Sequence, residues 1–131
     1  MTADLPLVYY HHKDPLSITL FNDLILEVKP QFRLKFLSSE ENLVMRLLKE
    51  KRRPKIILIE QEYNRESPYQ LLWELKSDPS SKDIPIILLA KDVQTGQAQS
   101  AIDLGAFSVL EKPSNSEFMR TIIELINILI M

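Results

Sequence analysis

The chain contains no cysteine, which excludes disulfides and thiolate metal centres. Only two glycines occur in 131 residues, Gly96 and Gly105, and neither follows a run that reads as a strand. A glycine loop cradling a phosphate at a helix N-terminus is therefore not supported. No apolar stretch reaches the roughly 20 residues needed to span a bilayer. The N-terminal "MTADLPLVYYHHKD" lacks the charged region and long apolar run of a secretory leader. Charge of one sign is missing too: 16 Lys and Arg oppose 18 Asp and Glu, a formal net charge of −2. Such a balance creates no bulk field for nucleic acid. What remains is the expectation of a soluble, cytoplasmic protein, neither membrane-bound nor a nucleic-acid binder. Its length suits one domain with a real core.

Strand and helix patterns alternate along that length. "LPLVYYH" (5–11) is rich in β-formers. Asp14 and Pro15 then read as an N-cap and first helical residue, and Leu16, Leu20, Phe21, Leu24, Ile25 and Val28 recur at helical spacing up to Pro30. "FRLKF" (32–36) alternates strictly, as a half-exposed strand near a sheet edge does. Ser38 and Glu41 form a capping box before Leu43, Val44, Leu47 and Leu48. A central strand, 55–59, with four apolar residues in a row from Ile56 to Ile59, delivers Glu60 to its C-terminal end. A short helix with Leu71, Leu72 and Leu75 follows Ser67-Pro68, and "IPIILLA" (84–90) is a further buried strand. The weakly patterned segment 92–104 is closed by Gly105, a plausible C-cap. "FSVLE" (107–111) is the last strand, and Ser114 with Glu117 opens an apolar helix to Met131. Five strands and five helices in alternation predict a doubly wound parallel α/β domain with right-handed crossovers.

Ligands of such folds gather beyond the C-terminal ends of the strands, and three segments there carry a recognisable pattern. "RRPKIILIE" is similar to the strand that delivers the phosphoacceptor aspartate in response-regulator receivers. "KSDPSSKDIPIILLAK" resembles the stretch leading into the fourth receiver strand. "AIDLGAFSVLEKP" resembles the run from the fourth helix through the fifth strand, ending in Lys-Pro. In order and spacing the likeness spans essentially the whole chain, and it implies a CheY-like receiver with a flavodoxin-like sheet in the order 2-1-3-4-5. It also implies one domain, 1–131, without an output domain.

Receivers take a phosphoryl group from a histidine kinase onto an aspartate. They use Mg²⁺ held by acidic residues, a hydroxyl after strand four and a lysine after strand five, a logic of preorganised charge neutralisation. Carried over residue by residue, the resemblance puts Glu60 at the phosphoacceptor position, with a carboxylate displaced by one methylene where tolerances are tight. His12 and Lys13 fall where two acidic residues belong, and only Asp14, one step further, is acidic. Imidazole and ammonium groups are poor company for a hard, oxygen-seeking cation. Ala90 replaces the hydroxyl residue and Val109 the aromatic switch residue. Lys112 and Pro113 are retained, and the family pattern implies a cis bond between them.

Together these departures predict weak or absent Mg²⁺ binding, no catalytic residues and no ordinary phosphorylation. Two readings of Glu60 stay open: it pairs with Lys112 and holds one signalling conformation, or it is a solvated strand-end residue. The function expected is that of a non-enzymatic, receiver-like signalling module that binds a kinase, another receiver or a regulator. The alternative is an atypical but working phosphoacceptor.

Other features have simpler explanations. His11, His12, Asp14 and Glu60 suggest a metal site, but adjacent strand residues face opposite ways, so the two histidines cannot easily share an ion. The basic run "KEKRRPK" (49–55) complements a helix C-terminus. Tyr63, Arg65 and Tyr69 follow Glu60 and are of types favoured in binding hot spots. In the last helix, Phe118, Ile122, Ile123, Ile126, Leu129 and Ile130 share a wide apolar face, with Leu125 and Ile128 partly outside it and Met131 extending it. That excess over a normal stripe, together with Phe107 and Val109, predicts a homodimer or partner surface centred on Phe107, Phe118, Leu125 and Ile128.

Overall fold

The computed structural model describes residues 5–12, 15–38, 42–61, 69–91 and 95–131. Ten elements alternate along the chain: β1 (Leu7–His12), α1 (Leu16–Val28), β2 (Arg33–Ser38), α2 (Leu43–Lys49), β3 (Ile56–Gln61), α3 (Gln70–Ser77), β4 (Ile86–Ala90), α4 (Thr95–Asp103), β5 (Ser108–Glu111) and α5 (Ser116–Leu129). The strands form one parallel sheet in the order β2-β1-β3-β4-β5. This is the flavodoxin-like, CheY-type arrangement expected from the alternation and the resemblance.

Alternation within the strands divides the core in two. Val8, Tyr10, Ile56, Leu58, Ile87 and Leu89 pack beneath α1 and α5. Tyr9, Ile57, Ile59, Ile86 and Leu88 pack beneath α2, α3 and α4. β3 and β4 are covered on both faces, so residues 56–59 and 86–90 are unbroken apolar runs. β2 lies at the sheet's end, and most of its residues are half-buried or exposed, as expected of an edge strand, although burial does not alternate strictly along it. Gly105 ends the α4 turn at φ 110°, and a Cβ there would meet the Lys76 stem at 3.1 Å. The expected C-cap glycine is thus favoured by its left-handed backbone, and a side chain there would also have to displace the Lys76 stem slightly. Among the described residues no helix is long and apolar enough to cross a membrane.

Several local expectations are corrected. β2 continues through Ser38, which pairs with His12, so Ser38 is a strand residue. α2 is capped instead by Asn42, which accepts the Met45 amide at 3.1 Å. α5 is capped by Asn115, accepting from Phe118 N at 3.1 Å, one residue beyond the expected Ser114. Asparagine caps as well as serine. In α1 the buried stripe is Ser17, Leu20, Phe21 and Leu24, while Leu16 and Ile25 are exposed. In α5 it is Met119, Ile122, Ile123 and Ile126. Phe118 lies about 100° round the helix from Met119 and is exposed. The expected cap Asp14, together with Glu41, Ser67 and Pro68, lies outside the described residues.

Candidate functional site

β1 and β3 run side by side with Tyr10 opposite Leu58. Both face α1 and α5, and the two-residue period puts Glu60 on the same face, one step nearer the sheet's C-terminal crest. β3 extends to Gln61, so Glu60 sits inside the strand, and it is 0% exposed. The reading of Glu60 as a solvated strand-end residue is therefore overturned.

Its carboxyl turns into the protein. Tyr10 Oη donates to Glu60 Oε2 at 2.7 Å, and Ser17 Oγ donates to the same oxygen. The two hydroxyls lie 2.9 Å apart. Tyr10 reaches Glu60 diagonally across the sheet, and Ser17 is brought over it by the first turn of α1. That turn also brings the positive end of the helix macrodipole to the carboxyl. The other oxygen, Oε1, lies 3.8 Å from Lys112 Nζ. This is within Coulombic reach but beyond hydrogen-bonding distance. Burial of a bare carboxylate costs several kcal/mol, and each hydrogen bond to a charged group returns about 1.5–3 kcal/mol. The cluster therefore stabilises a group that an apolar interior would otherwise reject.

Ala90, fully buried at the end of β4, accepts the Lys112 amide through its carbonyl at 3.0 Å. It offers no hydroxyl. Val109 is half-buried and packs on the α2–α3–α4 side. Pro113 is buried, and the Lys112–Pro113 bond is trans, since no described residue has a cis peptide. The implied cis bond is thus corrected. The trans form is preferred by about 0.5–1 kcal/mol even before proline, and Lys112 approaches Glu60 from that backbone.

His12 lies edge-on to Phe36, with centroids 6.0 Å apart, whereas His11 is buried. Lys13 and Asp14 lie outside the described residues. Among the described residues, no three histidine, aspartate or glutamate side chains converge as metal ligands. The Mg²⁺ that the resemblance implies does not fit the described donor set. An octahedral oxygen shell would have to form around a carboxyl whose Oε2 is covered by two hydroxyls and whose Oε1 faces an ammonium.

Tyr63 and Arg65 lie outside the described residues. Tyr69 is half-buried, and its hydroxyl donates to the Gln97 carbonyl at 3.2 Å, tying α3 to α4. In the basic run, Arg53 Nη1 donates to the Ser80 carbonyl. Glu50, within that run, takes Lys35 at 3.0 Å and Arg46 at 2.9 Å. The Lys35 hydrogen bond holds the Glu50 carboxyl below its ordinary range, with Arg46 adding to the effect.

Tyr10 and Ser17 are the site residues that sequence reasoning missed. Two signals pointed to them: a tyrosine hydroxyl on a buried strand face needs a polar partner, and Ser17 falls in phase with Leu20, Phe21 and Leu24.

No protein-family model and no curated protein matches the sequence. Solved structures do match. One is the response regulator RPA3017 in red light signaling of R. palustris, with TM-score 0.76, 18% identity, and coverage of 92% of this chain and 91% of that one. Another is the chemotaxis response regulator CheY4 of Vibrio cholerae, with TM-score 0.72, 13% identity, and coverage of 93% and 98%. A third is the Mn²⁺-bound form of response regulator Rcp1, with TM-score 0.67, 15% identity, and coverage of 92% and 91%. The chain has the fold of response-regulator receiver domains.

Proposed function

We propose that this chain is a receiver-like signalling module of the two-component type that binds a protein partner and works without phosphorylation. The observation that carries the proposal is the buried Tyr10–Ser17–Glu60 cluster. A phosphoacceptor must present a free oxygen to an incoming phosphoryl group and to a cation, in a near-attack geometry. Glu60 is enclosed by β1, α1 and Lys112, and Ala90 supplies no hydroxyl for the phosphoryl oxygens. Lys112 then acts as a standing counter-charge that fixes one conformation.

The partner surface in this reading is the face of β5 and α5, where Phe107, Phe118 and Ile128 are 54%, 43% and 64% exposed and Leu125 is half-buried. Either a second copy or another signalling protein would cover it.

One observation favours the alternative of a working phosphoacceptor: Lys112 remains within 3.8 Å of the carboxyl at residue 60. Intact-mass measurement after incubation with acetyl phosphate and Mg²⁺ separates the two. Unchanged mass is expected. A gain of one phosphoryl group that disappears in Glu60→Ala establishes the alternative.

A further inference from the structure

A groove of about 530 Å³ runs along the open edge of the sheet, between α1 and β2. Ile18, Phe21 and Ile25 line it from the helix, and Leu34 and Phe36 from the strand. Among the described residues that line it, the charged ones are Lys29 at the helix end and Arg33 at the start of the strand, both exposed. The surface is thus an apolar trough with a cationic end.

Two further observations bear on its use. First, β2 ends the sheet, and Arg33 N donates inward to the Pro6 carbonyl at 2.8 Å. Backbone groups of successive strand residues point to alternate sides, so those of Leu34 and Phe36 face the open edge while their side chains face the groove. Second, Lys29 is the only described non-glycine residue with positive φ, at 55°. Its left-handed backbone is held by Lys29 N donating to Ile25 O at 3.3 Å. Gln31 adds two bonds, its amide to Asn127 Oδ1 at 2.8 Å and its side chain to Lys29 O at 3.3 Å. A glycine would take this C-cap conformation without steric cost. A strained lysine held by its surroundings at the mouth of a groove points to use of its ammonium.

We infer that the α1–β2 edge binds an extended segment of another protein, which adds beside β2 as a sixth strand. Every second side chain of that segment is apolar and enters the groove, and a carboxylate at one end meets Lys29 at its mouth. Strand addition of this kind takes affinity from main-chain bonds and specificity from alternate side chains. A second copy of this chain is the wrong occupant, because pairing two β2 edges would set Arg33 and Lys35 of one beside the same cations of the other. The inference is independent of the state of Glu60 and uses a different face from Phe107, Phe118 and Ile128.

The test is selection of a random-peptide phage library on the intact protein, followed by amide NMR with the enriched peptides. Alternating apolar peptides carrying an acidic residue should emerge and shift the Leu34 and Phe36 amides. The Lys29→Glu/Arg33→Glu variant should weaken them by about tenfold or more, the loss of one charge-assisted contact. Both substitutions are at exposed positions. Lys29→Gly gives a second readout that misfolding does not mimic, a raised melting temperature together with weaker peptide binding. The inference is overturned if no peptide is enriched, if the winners lack carboxylates, or if charge reversal leaves binding unchanged. Self-association of the free protein abolished by Ile25→Asp also overturns it, since the occupant is then a second copy.

Discussion

Glu60 and Glu50 carry the same side chain, and each meets a lysine, but they sit in opposite settings. Glu50 lies at the end of α2, partly exposed, and is paired with Lys35 and Arg46 across water-accessible space. Glu60 is sealed inside the sheet, with two hydroxyls on one oxygen and Lys112 near the other. Cationic partners suffice at the surface because water does most of the solvation. In the interior the protein must replace that water with fixed donors, and the donors that do so also bar access. One glutamate is therefore an adjustable surface charge, and the other is a built-in part of the core.

The sharpest way to break this contrast is to remove each carboxyl in turn. Glu60→Ala leaves a cavity and takes from the Tyr10 and Ser17 hydroxyls the acceptor they share, and should lower stability by about 2–4 kcal/mol. This should read as a reduced urea midpoint at unchanged m. A loss no larger than that of Glu50→Gln would put Glu60 in contact with solvent.

Next in size come the two hydroxyls. Tyr10→Phe and Ser17→Ala should each cost about 1–2 kcal/mol. The double variant should cost less than the sum of the two, because both act on Oε2 of one carboxyl. Strict additivity, measured by a double-mutant cycle, would mean that the three groups do not act together.

The smallest effect belongs to Glu50 and is seen in its pH dependence. Lys35, hydrogen-bonded to Glu50, holds that carboxyl below its ordinary value of 4.5, with Arg46 assisting and burial opposing. A group whose folded value is depressed contributes stability that is fully present above the unfolded value. That contribution is lost as pH falls through the folded value. Wild type should thus exceed Glu50→Gln slightly at neutral pH, and the two should converge below pH 4.5, with the gap narrowing in high salt.

The fold was largely legible in the sequence because the apolar runs 56–59 and 86–89 admit only doubly covered strands, and the helical stripes between them force crossovers. Helix starts were less legible. Ser38 and Ser114 have the right chemistry for caps, but strand pairing with His12 claims the first, and Asn115 caps in place of the second. The site was half legible. Glu60, Ala90 and Lys112 stand at positions that a linear pattern marks. Tyr10 and Ser17 have no place in that pattern, and they meet Glu60 only through a diagonal across two strands and the phase of α1. A buried apolar face that carries two hydroxyls was the available clue.

In the proposed function the carboxyl of Glu60 is closed to a divalent cation and to a phosphoryl group. Amide NMR of the wild-type protein titrated with Mg²⁺ and beryllofluoride tests it most directly. The signals of Glu60, Ala90 and Lys112 should stay in place through the titration. Saturable shifts at those three residues, requiring both reagents and lost in Glu60→Gln, would contradict it.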